Sequence, residues 1–254
     1  MKDVCCCVGI IPSRYSSSRF PGKPLADING KPMIQWVYEQ TKKAFAHCFV
    51  ATDDERIANA VAQFGGQYVM TKASHQSGTD RCAEAIVKIE QQVQQTFDVV
   101  VNVQGDEPLI DISQLEQIKA CFDAPEVQIA TLAKPFGANE DIFSPNTPKV
   151  VLDNNNNALY FSRSPIPYIR KSEPATWSGD YPFLKHVGLY AYRTDVLHAI
   201  SALPQSSLEM AESLEQLRWL QNGYKIKVGI THAETYAVDA PEDVEKILNL
   251  LNSE

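Results

Sequence analysis

The sequence predicts an α/β fold, a three-layer sandwich around a mostly parallel, Rossmann-like sheet with a less regular second half. Apolar, β-branched runs alternate with segments of helical period through the first half of the chain. Those runs are almost continuously hydrophobic, as strands are when helices cover both faces of their sheet. At 254 residues the chain can bury one large core.

Strands are predicted over 4–11, 48–51, 67–70, 99–103 and 128–132. Helices are predicted between them over 33–45, 55–64, 81–94 and 112–122. Thr52-Asp53-Asp54-Glu55 ahead of Ile57 is an N-terminal capping pattern. Segments 149–152 and 158–161 flank the polar run Asp153-Asn154-Asn155-Asn156-Asn157 and read as a hairpin. Residues 164–182, rich in proline and polar side chains, form an irregular excursion. A strand over 186–192, helices over 195–202 and 208–221, a strand over 226–230 and a helix over 241–251 complete the chain. No repeat or long linker divides it, so 1–254 reads as one domain.

A net charge of -8 argues against a general nucleic-acid role, which needs a basic footprint. No apolar run approaches the roughly 20 residues of a membrane span. The apolar stretch after Met1-Lys2-Asp3 has no small-residue cleavage site and reads as a first strand, so the expected location is the cytoplasm. Cys5, Cys6 and Cys7 are consecutive, and neighbours on a strand point to opposite faces, so they do not converge on one metal ion. With no C-x-x-C pair, cysteine here reads as a small buried hydrophobe.

Three stretches carry chemistry. The first strand hands the chain to a loop with Arg14, Arg19 and Lys23, stiffened by Pro21-Gly22-Lys23-Pro24. Cations on a loop between a strand and a helix are suited to phosphate. The run Val99-Val100-Val101-Asn102-Val103-Gln104-Gly105-Asp106-Glu107-Pro108 sets carboxylates at the carboxyl edge of the sheet, where α/β folds bind ligands. Asp106 there is either a ligand-facing carboxylate or a cap of the next helix. In Val238-Asp239-Ala240-Pro241-Glu242-Asp243, Asp239 reads equally as an N-cap with Glu242 completing a box, or as a metal ligand. Asp106 with Asp239 would be a sparse pair suited to Mg²⁺. The loop 74–80 caps a helix through Ser77 or Thr79, and Arg81 in its first turn calls for an anionic partner. Arg163, His186 and Tyr190 stand at or near strand ends, and 214–218 is an amphipathic helical segment.

Together these motifs resemble, in order from Ile10 to Asp243, those of the CMP-sugar-acid nucleotidyltransferase family. The resemblance runs through Ile10-Ile11-Pro12-Ser13-Arg14, Pro21-Gly22-Lys23-Pro24-Leu25, Ala51-Thr52-Asp53 and His75-Gln76-Ser77-Gly78-Thr79-Asp80-Arg81. It continues through Asn102 to Pro108, Tyr160-Phe161-Ser162-Arg163, His186 to Tyr190, Leu214-Glu215-Gln216-Leu217-Arg218 and Val238 to Asp243. The departures are Ser13 for Ala, Phe20 for Leu and Ala240 for Thr, and none removes a charge.

The resemblance implies the nucleotide-diphospho-sugar transferase type of sheet and a dimer. It places nucleotide binding in about 1–135, and sugar binding with dimerisation in about 136–235. It implies transfer of CMP from CTP to 3-deoxy-manno-octulosonate (Kdo) for lipopolysaccharide biosynthesis, with Mg²⁺ as cofactor. An amino-substituted Kdo or a sialic-acid-like acid is the alternative acceptor. It assigns Arg14, Arg19 and Lys23 to the triphosphate, Ser77, Arg81 and Asp106 to the nucleotide, and Asp106 with Asp239 to the metal. Lys23, Arg14 and Asp106 would be the catalytic groups. Gln104, Arg163, His186, Tyr190, Glu215 and Gln216 would form the sugar pocket, with Arg163 at the carboxylate. The first loop lacks G-x-G-x-x-G, which argues against a dinucleotide oxidoreductase. Intact Lys23, Asp106 and Asp239 argue against a non-catalytic nucleotide binder.

Overall fold

Val99, Val100 and Val101 are all fully buried, although successive strand residues face opposite ways. Val100 belongs to a core shared with Ile10 and Ile86, whereas Val99 and Val101 join Ile11, Val37 and Leu115 in a second core. Two apolar layers therefore sandwich one sheet, as the unbroken hydrophobic runs predict. The computed structural model describes residues 5–17, 19–137 and 139–252.

Strand β1 (Cys7–Ser13) leads through a 3-10 turn (Lys23–Leu25) to a small hairpin, β2 (Asp27–Ile28) with β3 (Lys31–Pro32). Then come α1 (Met33–Ala44), β4 (His47–Thr52), α2 (Glu55–Gln63), β5 (Tyr68–Met70), α3 (Gly78–Val93), β6 (Val99–Asn102), α4 (Ile112–Ala120) and β7 (Ile129–Pro135). The second half holds β8 (Lys149–Leu152), β9 (Ala158–Ser162), α5 (Trp177–Asp180), β10 (Leu184–Arg193), α6 (Thr194–Ser201), α7 (Ser207–Glu212), α8 (Gln216–Gln221), β11 (Ile226–Ile230) and α9 (Pro241–Leu251). Val4, the predicted start of the first strand, lies outside the described residues.

The main sheet runs β11-β7-β10-β6-β1-β4-β5, with the β8–β9 hairpin added beside β10. β5, β4, β1 and β6 are mutually parallel, and β11 is parallel to β7. β10 inserts antiparallel between β6 and β7. The chain leaves β1 toward β4 and β5, then returns to β6 on the other side, so strand order reverses between β1 and β6. Crevices at such reversals, beyond the carboxyl ends of the strands, are where open α/β sheets bind ligands.

Local chemistry explains the boundaries. Asp54 caps α2 by accepting from the Arg56 amide, as the sequence pattern predicts. Asp153 closes the β8–β9 turn by accepting from the amides of Asn155 and Asn157. The single helix predicted over 208–221 is instead two, because Ser213 adopts φ 50° and breaks the run. The 164–182 excursion is irregular apart from α5, whose Trp177 is buried among Ile142 and Phe183. Cys48 and Cys82 are buried, whereas Cys5, Cys6 and Cys7, expected as buried hydrophobes of a strand, are half-buried with only Cys7 inside β1; all six cysteines are free.

Candidate active site

Beyond the ends of β1 and β6 lies a cleft of about 320 Å³. It is lined by Pro12, Ser13, Arg14, Ser17, Arg19, Lys23, Pro24, His75, Gln76, Ser77, Gly78, Arg81, Gln104, Gly105, Asp106 and Asp239. Eight residues that the sequence selects, Arg14, Arg19, Lys23, Ser77, Arg81, Gln104, Asp106 and Asp239, are thus brought to one place.

The cationic loop is held rather than loose. Gly22, at φ 74°, donates its amide to Tyr15 O at 2.9 Å, and a Cβ there would sit 3.0 Å from the Tyr15 ring. The Arg56 guanidinium covers that ring at 3.3 Å and is itself paired with Asp54. Lys23, starting the 3-10 turn, then reaches Asp106 Oδ2 at 2.6 Å and Val238 O at 2.9 Å. Arg19 reaches Asp239 Oδ1 at 2.9 Å, and Arg14 lines the cleft exposed.

Gly105 lets β6 deliver its carboxylate here, since a Cβ would lie 3.0 Å from Pro12 O. The Asp106 carbonyl accepts from the Val238 amide at 2.9 Å, which joins the 106 and 238–239 segments. Apolar packing anchors that junction: Val238 is buried with Ile28, Met33 and Ile247 between the β2–β3 hairpin and α9. Neither aspartate is a cap. Asp111 caps α4, and the Asp243 carboxylate accepts from the amides of Asp239 and Ala240 at the start of α9. The capping alternative for Asp106 and Asp239, with Glu242 completing the latter's box, is therefore set aside. Glu107 is buried instead of lining the cleft, and burial, then the charge of Asp106, pushes its carboxyl up to about 7.

Among the described residues no group of three or more His, Cys, Asp or Glu could hold a metal ion. Asp106 and Asp239 supply two hard oxygen donors on one cleft, a set that fits Mg²⁺ completed by water and phosphate.

The opposite wall is the N-terminus of α3. Ser77 caps it, accepting from the Asp80 amide at 3.1 Å. His75 Nε2 is in contact with the Glu84 carboxylate. Arg81 is buried, donates to Thr71 Oγ1 at 2.6 Å and lies 3.1 Å from Asp53 Oδ1, without the geometry of a directed hydrogen bond. Asp53 is thus the anionic partner expected for Arg81, and the arginine still lines the cleft.

The residues expected around the sugar are more dispersed. Gln104 donates to Gly188 O at 2.8 Å, within an irregularity of β10 between Val187 and Tyr190. The Thr131 hydroxyl lies 3.1 Å from His186 Nε2 and 2.8 Å from Leu189 O. Burial lowers His186 to about 4, so its ring is neutral near pH 7. Tyr190 stacks with Tyr192 and meets Trp219 edge-on, while its hydroxyl is buried with no protein partner. Gln216 Nε2 is likewise buried and unpartnered. Glu215 lines a neighbouring cleft of about 290 Å³ with Gln76, Ser77, Asp80 and Arg218.

Arg163 is placed differently from expectation. Its guanidinium donates to the carbonyls of Glu212, Pro145 and Ser213 at 2.6, 2.8 and 3.1 Å, and it lines neither cleft. Thr79 and Ser13 are functional candidates that sequence reasoning passed over. Ser13 Oγ is buried, unpartnered and on the cleft wall; its one signal was the departure from Ala.

Comparison with known proteins places the chain in a family. A family model described as cytidylyltransferase matches residues 8–226. A 3-deoxy-manno-octulosonate cytidylyltransferase of Parabacteroides distasonis is 60% identical, over 96% of this chain and 97% of its own. The enzyme of the same name from Porphyromonas gingivalis is 50% identical, over 97% of each chain. A solved CMP:2-keto-3-deoxy-manno-octonic acid synthetase complexed with CTP superposes with TM-score 0.88 at 45% identity, covering 98% of this chain and 99% of the other. A 4-diphosphocytidyl-2C-methyl-D-erythritol synthase from Anaerococcus prevotii, at 10% identity and TM-score 0.62, shares the fold, covering 98% of this chain and 100% of its own. With more than half of its length matched by the family model and near-complete alignment to relatives this similar, the chain belongs to the cytidylyltransferase family.

Proposed function

We propose that this protein transfers CMP from CTP to Kdo, releasing pyrophosphate and forming CMP-Kdo for lipopolysaccharide biosynthesis. The observation that carries the reading is the cleft between β1 and β6, where four cations (Arg14, Arg19, Lys23 and Arg81) stand with two carboxylates, in a chain of this ancestry. The anomeric hydroxyl oxygen of the sugar acid bonds to the α-phosphorus in line as its proton passes to solvent, the bond from that phosphorus to the oxygen shared with the β-phosphate breaks, and pyrophosphate departs with that oxygen. Charge neutralisation and positioning dominate such a reaction.

Arg14, Arg19 and Lys23 hold the triphosphate, with Lys23 nearest the α-phosphate and leaving group. Lys23 and Arg19 exchange their present aspartate partners for phosphate oxygens as the nucleotide enters. Ser77 and Arg81 shape the nucleotide wall, Arg81 through its anchored side chain. Asp106 and Asp239 would hold Mg²⁺, which when bound neutralises phosphate charge and gathers substrate oxygens. Gln104, His186, Tyr190, Glu215 and Gln216 face the sugar acid, whose hydroxyls match the unpartnered Tyr190 hydroxyl and Gln216 amide. Arg163 contributes by holding the break before α8, given its three carbonyl partners.

The protein works as a cytoplasmic homodimer in this reading. Six free cysteines, and the lack of any helix among the described residues long and apolar enough to cross a membrane, are consistent with that location. Exposed Phe143 and Tyr168, in ring contact with Trp177, give the second half an aromatic face for self-association. Light scattering on a size-exclusion column should give twice 28.3 kDa, and a monomer there would remove the dimer.

The deciding experiment is pyrophosphate release from CTP, Kdo and Mg²⁺, with each component omitted in turn and CMP-Kdo identified by mass. Release that needs all three establishes the reaction. CTP binding without turnover on Kdo, but with turnover on amino-Kdo or a nine-carbon sugar acid, reassigns the acceptor.

A further inference from the structure

Thr79 stands in the first turn of α3, and its side chain is almost wholly buried. Its Oγ1 donates to Glu215 Oε2 at 2.8 Å, across 136 positions of sequence, and lies 3.4 Å from the Tyr192 hydroxyl. Ser77, the cap of the same helix, lines the same neighbouring cleft as Glu215. Burial pushes the Glu215 carboxyl up, and the Thr79 hydroxyl offsets only part of that rise. A donor in the first turn of one helix thus holds a carboxylate that begins another helix, α8.

The consequence is geometric. A glutamate has three rotatable bonds, and its terminal torsion is broad unless partners hold it. Here the partner follows directly on Ser77 and Gly78, which line the nucleotide cleft, while Glu215 lines the adjoining cleft. We propose that Thr79 is a positioning residue that aims the Glu215 carboxylate at the sugar acid and ties its orientation to the nucleotide-binding end of α3. This rests on the reading that Glu215 faces the sugar.

The test is steady-state kinetics of the full chain carrying Thr79→Val, which keeps the shape and removes the hydroxyl, beside Thr79→Ser. The valine variant should raise the KM for Kdo about tenfold, the scale of one lost bond to a charged group, with the KM for CTP within about twofold. The serine variant should stay close to wild type. In a Glu215→Gln background the valine substitution should add little, since the two act through one contact. An unchanged Kdo KM in the valine variant, or equal rises in both KM values, overturns the proposal. If the valine protein does not fold, Thr79→Ala carries the same comparison. Wild-type turnover is the internal control. Its failure on Kdo strikes the functional reading, whereas wild-type turnover with an indifferent valine variant strikes Thr79 alone.

Discussion

The Lys23 ammonium lies 2.6 Å from Asp106 Oδ2, joining the loop after β1 to the loop after β6 across the point where strand order reverses. Both side chains are partly buried, so the pair holds each loop in place before substrate arrives. The same ammonium also touches Val238 O, which brings the Asp239 segment into the arrangement. Lys23→Ala should fold, because the loop is closed independently by Gly22 and Tyr15. Turnover should fall about a hundredfold or more, the usual scale for a lost transition-state charge contact. An unchanged kcat would remove Lys23 from the chemistry.

Asp239 and Asp243 are four residues apart and separate cleanly by role. Asp243 accepts the two backbone amides at the start of α9, while Asp239 faces Arg19. Asp239→Asn should therefore leave thermal stability nearly unchanged and raise the Mg²⁺ concentration needed for half-maximal rate. Asp243→Ala should do the reverse, costing about 1 kcal/mol of stability with an unaltered Mg²⁺ requirement. A metal titration and a melting curve on each variant decide the matter.

The sheet was legible because its strands are apolar on both faces, and the pattern at 99–101 shows this without ambiguity. Lys23 and Asp106 were legible because each sits beside a turn-forming Gly or Pro, Arg14 because it directly follows β1, and Asp239 because it stands two residues before the Pro241 that starts α9. Two features lay beyond sequence reading. The break at Ser213 is held by a tertiary partner, the Arg163 guanidinium on the Glu212 and Ser213 carbonyls, and no local glycine or proline announces it. The Thr79–Glu215 bond joins segments 136 positions apart, and nothing in either segment names the other.

His186 should be silent in the pH range where a free histidine titrates. Burial lowers it from 6.5 to about 4, so the folded protein keeps the ring neutral while the unfolded chain takes up a proton below about 6.5. Its share of stability is complete above 6.5 and is lost as the pH falls toward 4. Urea unfolding of wild type and His186→Gln should show a gap that narrows between pH 7.5 and pH 5. A ¹³C titration of the imidazole giving a midpoint near 6.5 in the folded protein would contradict this.

Arg163 offers a contrast between contact and support. Its three carbonyl partners include Glu212 and Ser213, the residues at the end of α7, and its own amide donates to Glu212 Oε2 at 2.9 Å. Lysine keeps the charge but cannot reproduce a planar fork, so Arg163→Lys leaves carbonyls unmatched. The expected cost is about 1–3 kcal/mol of stability, with a raised Kdo KM and an unaffected CTP KM, as α8 loses its footing. Ser213→Gly, which takes a positive φ without steric cost, should keep the break and the Kdo KM near wild type. Were Arg163→Lys to lose Kdo with stability intact, the arginine would be touching the sugar's carboxylate directly, and its role would move from the support of α8 to the pocket itself.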